Sequence, residues 1–385
     1  MSDREIKQLI ESGESSTVQF KRMIKSSKTN DLVAEMVAMS NYQGGTIIIG
    51  VDDATGEITG LDFNEIEKYN NYLFNWATNN VNPSIVIYTE TVTIDDKKIL
   101  VVTIPNGVDK PYSDQEMVFW IKSAANKRKV SPDQLRRLYQ SAGKIYAERQ
   151  RIEVSSIKDI DTEKFREFYL QRFGEEIDKD SVPRIMNNLH LIEDDKLTLA
   201  GALLFGKNND VIIPEFQISS IWFLGNDVTE NAWRNSKHIH GHLSRQYESA
   251  FQFVIGGLRN IQDNKSFNTP GKLEIPKLVV EELLVNALVH RDYFIKDSIK
   301  LFVFDDRIEI KSPGRLPNGL TVEDIKNGFQ RRSRNVIISS MLTDLLPYKG
   351  VGSGILRALK AWPHIDFENN IQAEYFRAII HRPKF

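Results

Sequence analysis

The run Glu281-Glu282-Leu283-Leu284-Val285-Asn286-Ala287-Leu288-Val289-His290-Arg291-Asp292 constrains this chain more than any other segment. At about 100° per residue, Val280, Leu283, Leu284, Ala287 and Leu288 fall on one side of a helix, while Glu282 and Asn286 stack one turn apart on the other. Mg²⁺ takes hard oxygen ligands and keeps several waters, so an Asn carbonyl can hold the metal while the Glu orients or deprotonates a water. That pairing suits hydrolysis of a metal-bound triphosphate, although the same spacing also serves an ordinary amphipathic helix with a solvated polar face. Further on stands Gly350-Val351-Gly352-Ser353-Gly354, followed by a helical pattern from Ile355 to Trp362. Backbone N–H groups at a glycine-rich helix start form an anion cradle, and three glycines equally serve a tight loop. Together the two elements predict a nucleotide site.

The segment from about Pro276 to Pro363 resembles the C-terminal ATP-binding domain of proteins labelled transcriptional regulators, a divergent branch of the GHKL or Bergerat-fold ATPases. The run Asn286 to Tyr293, then Ser312-Pro313-Gly314-Arg315-Leu316-Pro317, then Ser333-Arg334-Asn335 carries the branch pattern. The resemblance implies Glu282 as general base, Asn286 as Mg²⁺ ligand, and Gly350, Gly352 and Gly354 as lid glycines over the phosphates of ATP. GHKL enzymes generally read adenine with an Asp in a D-x-G-x-G element. The corresponding turn here is Ser312 to Leu316, with Gly314 as the nucleotide-binding candidate and no Asp. ATP, another nucleotide, and weak or lost hydrolysis all stay open.

The chain has 385 residues, 41% hydrophobic and 26% charged, enough for two or three soluble domains with sizeable cores. Its net charge is −2, from 50 basic and 52 acidic residues, so any nucleic-acid contact depends on local basic patches. Cysteine is absent, which excludes disulfides and cysteine-based zinc or redox sites. Met1 to Gln8 lacks an apolar signal core and no 18 apolar residues run together, so a cytoplasmic protein without membrane partners is expected.

Along the chain, helices are expected at Asp3 to Ser12, Asn30 to Asn41 and Asn64 to Asn79, with strands at Val18 to Lys21, Ser84 to Thr93, Lys98 to Ile104 and Met117 to Lys122. Gly44-Gly45-Thr46-Ile47-Ile48-Ile49-Gly50-Val51 reads as a turn into a buried β-branched strand. A helix from Ser131 to Ser141 starts at a Ser131 cap with Pro132 in first position.

Glu14-Ser15-Ser16-Thr17-Val18-Gln19-Phe20-Lys21, followed by Ala38 to Asp53, resembles the Schlafen/AlbA-type domain over roughly residues 5 to 140, a family that includes DNA or RNA binders. Its nuclease-active members use three acidic residues for metal-dependent cleavage. The resemblance places the first at Glu14 and the third at Asp52 or Asp53, whereas the second position holds Gln19, leaving a vestigial nuclease site. Cleavage with two metals about 3.5–4 Å apart needs several anionic oxygens, and an amide brings no charge. For nucleic-acid binding the candidates are Lys122, Lys127, Arg128 and Lys129, with Arg136 and Arg137 beyond them and Phe119, Trp120 and Tyr139 nearby. Such a cluster serves phosphates and unpaired bases, or equally a solvated surface whose aromatics face the core.

Thr162 to about Ile192 reads as a helical unit whose helices and short strand pair fit a winged-helix form without a basic recognition helix. A helix is expected from Ile239 to Asn260. His238, His240 and His242 would then open it with diverging side chains, which argues against a metal site.

The expected fold class is multidomain α/β: a Schlafen/AlbA-like domain over 1–145, a helical connector over 146–205, and a Bergerat-type α/β sandwich over 206–385. The expected function is nucleotide-controlled nucleic-acid binding as a transcriptional regulator, with ATP and Mg²⁺ as cofactors, weak ATPase activity and homo-oligomerisation. The alternatives are a metal-dependent nuclease with nucleotide gating, acting in defence, and an interaction protein with a vestigial nucleotide site.

Overall fold

The computed structural model describes residues 3–24, 29–229, 232–262, 271–317, 320–328, 333–347 and 352–384. The chain divides into two compact units, Met1–Ile145 and Tyr146–Phe385. Both are α/β.

In the first unit the strand Val18–Lys21 runs parallel to Gly45–Ile49, with the helix Thr29–Asn41 as the crossover between them. A parallel pair needs such a connection. Lys97–Ile104 and Tyr88–Ile94 extend the sheet antiparallel from Gly45–Ile49. Ile47 and Ile49 pack with Leu32, Met36 and Leu73 from the helices Thr29–Asn41 and Phe63–Asn79. Ile48 faces the opposite way, into a cluster with Ile6 of the helix Asp3–Ser12. Covering on both faces explains why this strand is an unbroken apolar run. Asp62 caps the Phe63–Asn79 helix reciprocally with Glu65, and Ser131 caps Pro132–Ser141 reciprocally with Gln134.

The strand expected at Met117 to Lys122 begins at Trp120 and continues into a hairpin that takes in the basic stretch. Trp120–Ser123 and Asn126–Lys129 pair as an antiparallel hairpin, so Lys127, Arg128 and Lys129 sit on a strand. Ala124 takes φ +53° in the connection, a left-handed turn conformation that the sequence does not advertise with glycine or asparagine.

The second unit centres on a six-stranded sheet in the order Trp233–Ile239, Ile218–Phe223, Ile299–Val303, Arg307–Pro313, Tyr375–His381, Ile365–Asn370. The second and third strands are parallel and the other pairs antiparallel. The helix Lys277–His290 packs against the helices Leu243–Gly257 and Gly354–Ala361 and against the strand Arg307–Pro313. One apolar cluster joins these elements with Phe165, Phe168 and Leu199 to Phe205 from the helices before the sheet. The winged-helix pattern resolves into the helix Val182–Asn188, a hairpin of Ile192–Glu193 with Lys196–Leu197, and the buried helix Leu199–Phe205.

The histidine segment differs from expectation. Residues Trp233–Ile239 form the edge strand, and the helix begins only at Leu243. Gly241 at φ +105° breaks the strand, and His242 caps the helix through Nδ1, which accepts from Arg245 N at 3.1 Å.

Candidate functional site

The helix Lys277–His290 is buried on nearly every side, Val279, Val285 and Val289 included, so it is not the half-solvated amphipathic helix that its spacing allowed. Its polar face meets the helix Gly354–Ala361 instead of water. Glu282 is 5% exposed. A β-carbon on Gly354 would overlap its Oε2 and lie 3.3 Å from Asn286 Nδ2, so glycine is what admits the carboxylate to this spot. Arg357, one turn further along the same helix, places Nη2 2.5 Å from Glu282 Oε1. Burial raises the pKa of Glu282 while Arg357 pulls it back down.

Asn286 Nδ2 donates to the Glu282 backbone carbonyl at 2.8 Å, one turn earlier. That bond uses the amide nitrogen and leaves the side-chain oxygen as the free acceptor. A neutral oxygen beside a carboxylate fits Mg²⁺, which needs few protein ligands when phosphates and waters complete its shell. Among the described residues no group of three His, Cys, Asp or Glu side chains is placed to hold a metal.

Three motifs converge at the C-terminal end of this helix. Asn335, fully buried, donates from Nδ2 to Val289 O at 2.8 Å and to Arg291 O at 2.9 Å, satisfying carbonyls that the helix end leaves open. Ser312 Oγ donates to Ala287 O at 3.0 Å. Gly314 takes φ +98°, and a β-carbon there would stand 2.5 Å from Asp292 Cβ. Arg334 spans the junction, with Nη1 3.4 Å from Asp292 Oδ2 and Nη2 donating to Arg315 O at 2.5 Å. The turn lacks an Asp of its own, and Asp292 comes beside it from the helix end. Gly352 takes φ +69°, whereas Gly350 lies outside the described residues.

In the first unit the residues at the nuclease position form a polar chain. Gln19 donates from Nε2 to Glu14 Oε1 and accepts on Oε1 from Lys122 Nζ at 3.0 Å. Lys122 Nζ also donates to Glu35 Oε1 at 2.5 Å and to Ala125 O at 2.8 Å. Lys122 is 4% exposed, so its ammonium is a built-in cation inside the unit and not part of the outer basic surface. Lys127 contacts Asp31 Oδ1 at 2.6 Å and Glu35 Oε2 at 3.3 Å. Burial opposes its charge, but the two carboxylates outweigh burial and raise its pKa. Arg128 and Lys129 are exposed, and Lys129 Nζ stands 5.8 Å from the centre of the Trp120 ring. Asp52 accepts from Ala54 N, Thr55 N and Thr55 Oγ1, and these bonds hold its pKa below the ordinary value. Asp53 is exposed, 3.9 Å from Lys21 Nζ.

Sequence reasoning missed Arg357 and Glu35. The spacing of Arg357 three residues after Gly354 was a usable signal, since positions i and i+3 share a helix face. Glu35 carried none, because its partner Lys122 is remote in the chain.

Two family models match the chain. Residues 14–131 match the model described as "Schlafen, AlbA_2", and residues 296–374 match the one described as "Putative ATP-dependent DNA helicase recG C-terminal". The second match covers Gly314, Gly354 and Arg357 and begins after Glu282 and Asn286. No curated protein matches the chain. The crystal structure of a Corynebacterium diphtheriae protein is similar at 18% identity over 99% of this chain and 80% of that one, with a TM-score of 0.48. The solution structure of the N-terminal domain of a helicase RecG-related protein from Nitrosomonas europaea is similar at 20% identity over 28% of this chain and 78% of that one, with a TM-score of 0.23. The two family matches define the class: nucleic-acid-related proteins with an ATPase-like domain. Within it, this chain joins a Schlafen/AlbA-type domain to a RecG-type C-terminal domain. Among the described residues no helix is long and apolar enough to cross a membrane.

Proposed function

We propose that the chain is a nucleotide-controlled nucleic-acid-binding protein, a transcriptional regulator of the cytoplasm that works as a homo-oligomer. The second unit binds ATP with Mg²⁺ and hydrolyses it slowly. Within that unit residues 146–205 act as a helical connector and 206–385 as the nucleotide-binding domain. The observation that carries the reading is the meeting of Glu282, Asn286 and Gly354: a buried acid and an amide one turn apart on one helix, with a glycine of the neighbouring helix packed against both. In this site Asn286 would hold Mg²⁺ and Glu282 would orient the attacking water. Bound Mg²⁺ would supply charge neutralisation for the phosphates.

Nucleic-acid binding is assigned to the exposed cations Arg128 and Lys129, which fit phosphate contacts. Nucleotide occupancy changes nucleic-acid affinity only to the extent that one nucleotide state favours the binding-competent conformation. The bonds at Glu14 support binding over cleavage: Gln19 is neutral, and the Lys122 ammonium already occupies its oxygen.

The test is calorimetric titration of the full chain with ATP, with and without Mg²⁺. Wild type is expected to bind only weakly without the metal. Asn286→Ala should remove the Mg²⁺-dependent gain, and Glu282→Gln should keep binding while slowing hydrolysis, because an amide contacts water but cannot take its proton. Wild-type affinity in Asn286→Ala would end the metal-ligand assignment.

A further inference from the structure

The helix Gly354–Ala361 brings to the site a cation that no motif assigned. Arg357 uses Nη2 on Glu282, 2.5 Å away, while its Nε is buried with no hydrogen-bond partner. The guanidinium edge formed by Nε and Nη2 is therefore half used. The two ends of the pair are also unequal, with the Glu282 side chain 6% exposed and that of Arg357 38% exposed. The carboxylate is held in place by the packing around it, whereas the guanidinium has solvent on one side and a long stem on which to move.

We infer that Arg357 determines specificity for the terminal phosphate of a nucleoside triphosphate: without nucleotide it neutralises Glu282, and with a triphosphate bound its guanidinium passes to terminal phosphate oxygens and frees the Glu282 carboxylate. This rests on the nucleotide-site reading given above. A guanidinium recognises carboxylate and phosphate through the same planar fork, and a phosphate presenting two oxygens satisfies both Nε–H and Nη2–H, where Glu282 satisfies one. Exchange of partner is thus favourable at Arg357. At Glu282 it removes the guanidinium from an oxygen that water would otherwise approach, turning a neutralised acid into an available base. A diphosphate lacks the terminal group and leaves the pair intact, so discrimination between triphosphate and diphosphate follows from one side chain. Glu282 and the terminal phosphate compete for Arg357: whatever weakens the Glu282–Arg357 pairing in the nucleotide-free protein makes the guanidinium more available to phosphate.

The experiment is titration of the full chain with a non-hydrolysable ATP analogue and with ADP, both with Mg²⁺, for wild type, Arg357→Ala, Arg357→Lys, Glu282→Gln and the double variant Glu282→Gln/Arg357→Ala. Arg357→Ala should weaken analogue binding by about tenfold or more and leave ADP within about twofold, as expected for one charged hydrogen-bond donor. Arg357→Lys should recover part of the loss, since an ammonium keeps the charge without the fork. Glu282→Gln should strengthen analogue binding, and the double variant should lose that gain. Circular dichroism confirms that each variant is folded. If Arg357→Ala does not fold, the Arg357→Lys and Glu282→Gln arms decide: an unchanged ratio of analogue to ADP affinity in both overturns the inference. Equal weakening of both nucleotides in Arg357→Ala, or a Glu282→Gln gain that persists without Arg357, also overturns it while leaving the nucleotide site standing. Wild type that binds neither nucleotide overturns the nucleotide site itself and the inference with it.

Discussion

Gly354 and Glu282 fit together as an absence and a presence: the missing β-carbon of the glycine is the space into which Glu282 Oε2 projects. Gly354→Ala fills that space. The atoms met are side-chain atoms of Glu282 and Asn286 and not backbone, so the fold tolerates the change at a cost of about 1–3 kcal/mol, in the range of overpacked sites. The carboxylate has to turn away, however, and the same β-carbon approaches Asn286 Nδ2. We expect Gly354→Ala to remain folded, with hydrolysis reduced by a larger factor than nucleotide affinity. Thermal melting and single-turnover hydrolysis check this, and wild-type turnover in a folded variant would show that Glu282 does not need its present position.

The basic stretch divides into cations of two kinds. Arg128 and Lys129 are exposed, whereas the Lys122 ammonium is enclosed by Gln19, Glu35 and Ala125. Arg128→Ala with Lys129→Ala should leave the melting temperature nearly unchanged and flatten the salt dependence of nucleic-acid binding, by about 0.7–0.9 in slope for each phosphate that a side chain no longer neutralises. Lys122→Met should do the opposite. It leaves Glu35 as a buried carboxylate deprived of its closest partner, and breaking a buried pair costs about 3–5 kcal/mol. Equal salt slopes for wild type and the Arg128/Lys129 variant would reduce the hairpin to ordinary surface.

Much of this architecture follows from local physics visible in the chain. The run Thr46 to Ile49 announces a strand covered on both faces, and Ser131-Pro132 announces a helix start, because each signal lies within a few residues of the structure it specifies. The Glu282 and Asn286 spacing is legible for the same reason, since both lie on one helix. What was not legible depends on partners far apart in sequence or on conformations without a residue signature. The burial of Lys122 is set by Glu35, and the hairpin around Ala124 uses a left-handed residue that is neither glycine nor asparagine. The helix after His242 starts late because Gly241 ends an edge strand, while apolar periodicity alone carries the helix back to Ile239. The pairing of Glu282 with Arg357 required knowing that two helices meet.

His242 couples one helix cap to pH. Its Nδ1 accepts from Arg245 N and lies 3.1 Å from Ser244 Oγ, so the ring must stay unprotonated at that nitrogen. Burial lowers its pKa to about 4, with Lys164 and Arg245 adding to the effect and Asp161 opposing it. The folded state thus refuses a proton that an unfolded histidine accepts near its ordinary pKa of about 6.5. This contribution to stability is complete above pH ~6.5 and is lost as pH falls toward ~4. His242→Asn keeps a capping oxygen without a titrating ring. Between pH 7 and 5 the wild-type melting temperature should fall further than that of the variant, and parallel falls would separate His242 from the acid response.

Gln19 is the position where charge decides what the first unit can do. Its amide donates to Glu14 on one side and accepts from Lys122 on the other, a polarity that glutamine supplies and glutamate cannot. Gln19→Glu keeps the shape and places an acceptor against the Glu14 carboxylate. At neutral pH and without metal the two acids repel, so the variant should melt below wild type, with the deficit shrinking in acid as the pair takes up a proton. Mn²⁺ offsets the repulsion, and ligand binding to the folded state stabilises it, so added Mn²⁺ should raise the melting temperature of Gln19→Glu more than that of wild type. Cleavage need not follow, because Asp52 is engaged by its own turn and Lys122 still neutralises Glu35. A time course on single-stranded RNA, transfer RNA and single-stranded DNA with wild type, Gln19→Glu and Glu14→Ala completes the test. Equal melting of Gln19→Glu and wild type in both the presence and absence of Mn²⁺ would contradict the charge argument. Robust wild-type cleavage that Glu14→Ala eliminates would make the first unit a nuclease despite its amide.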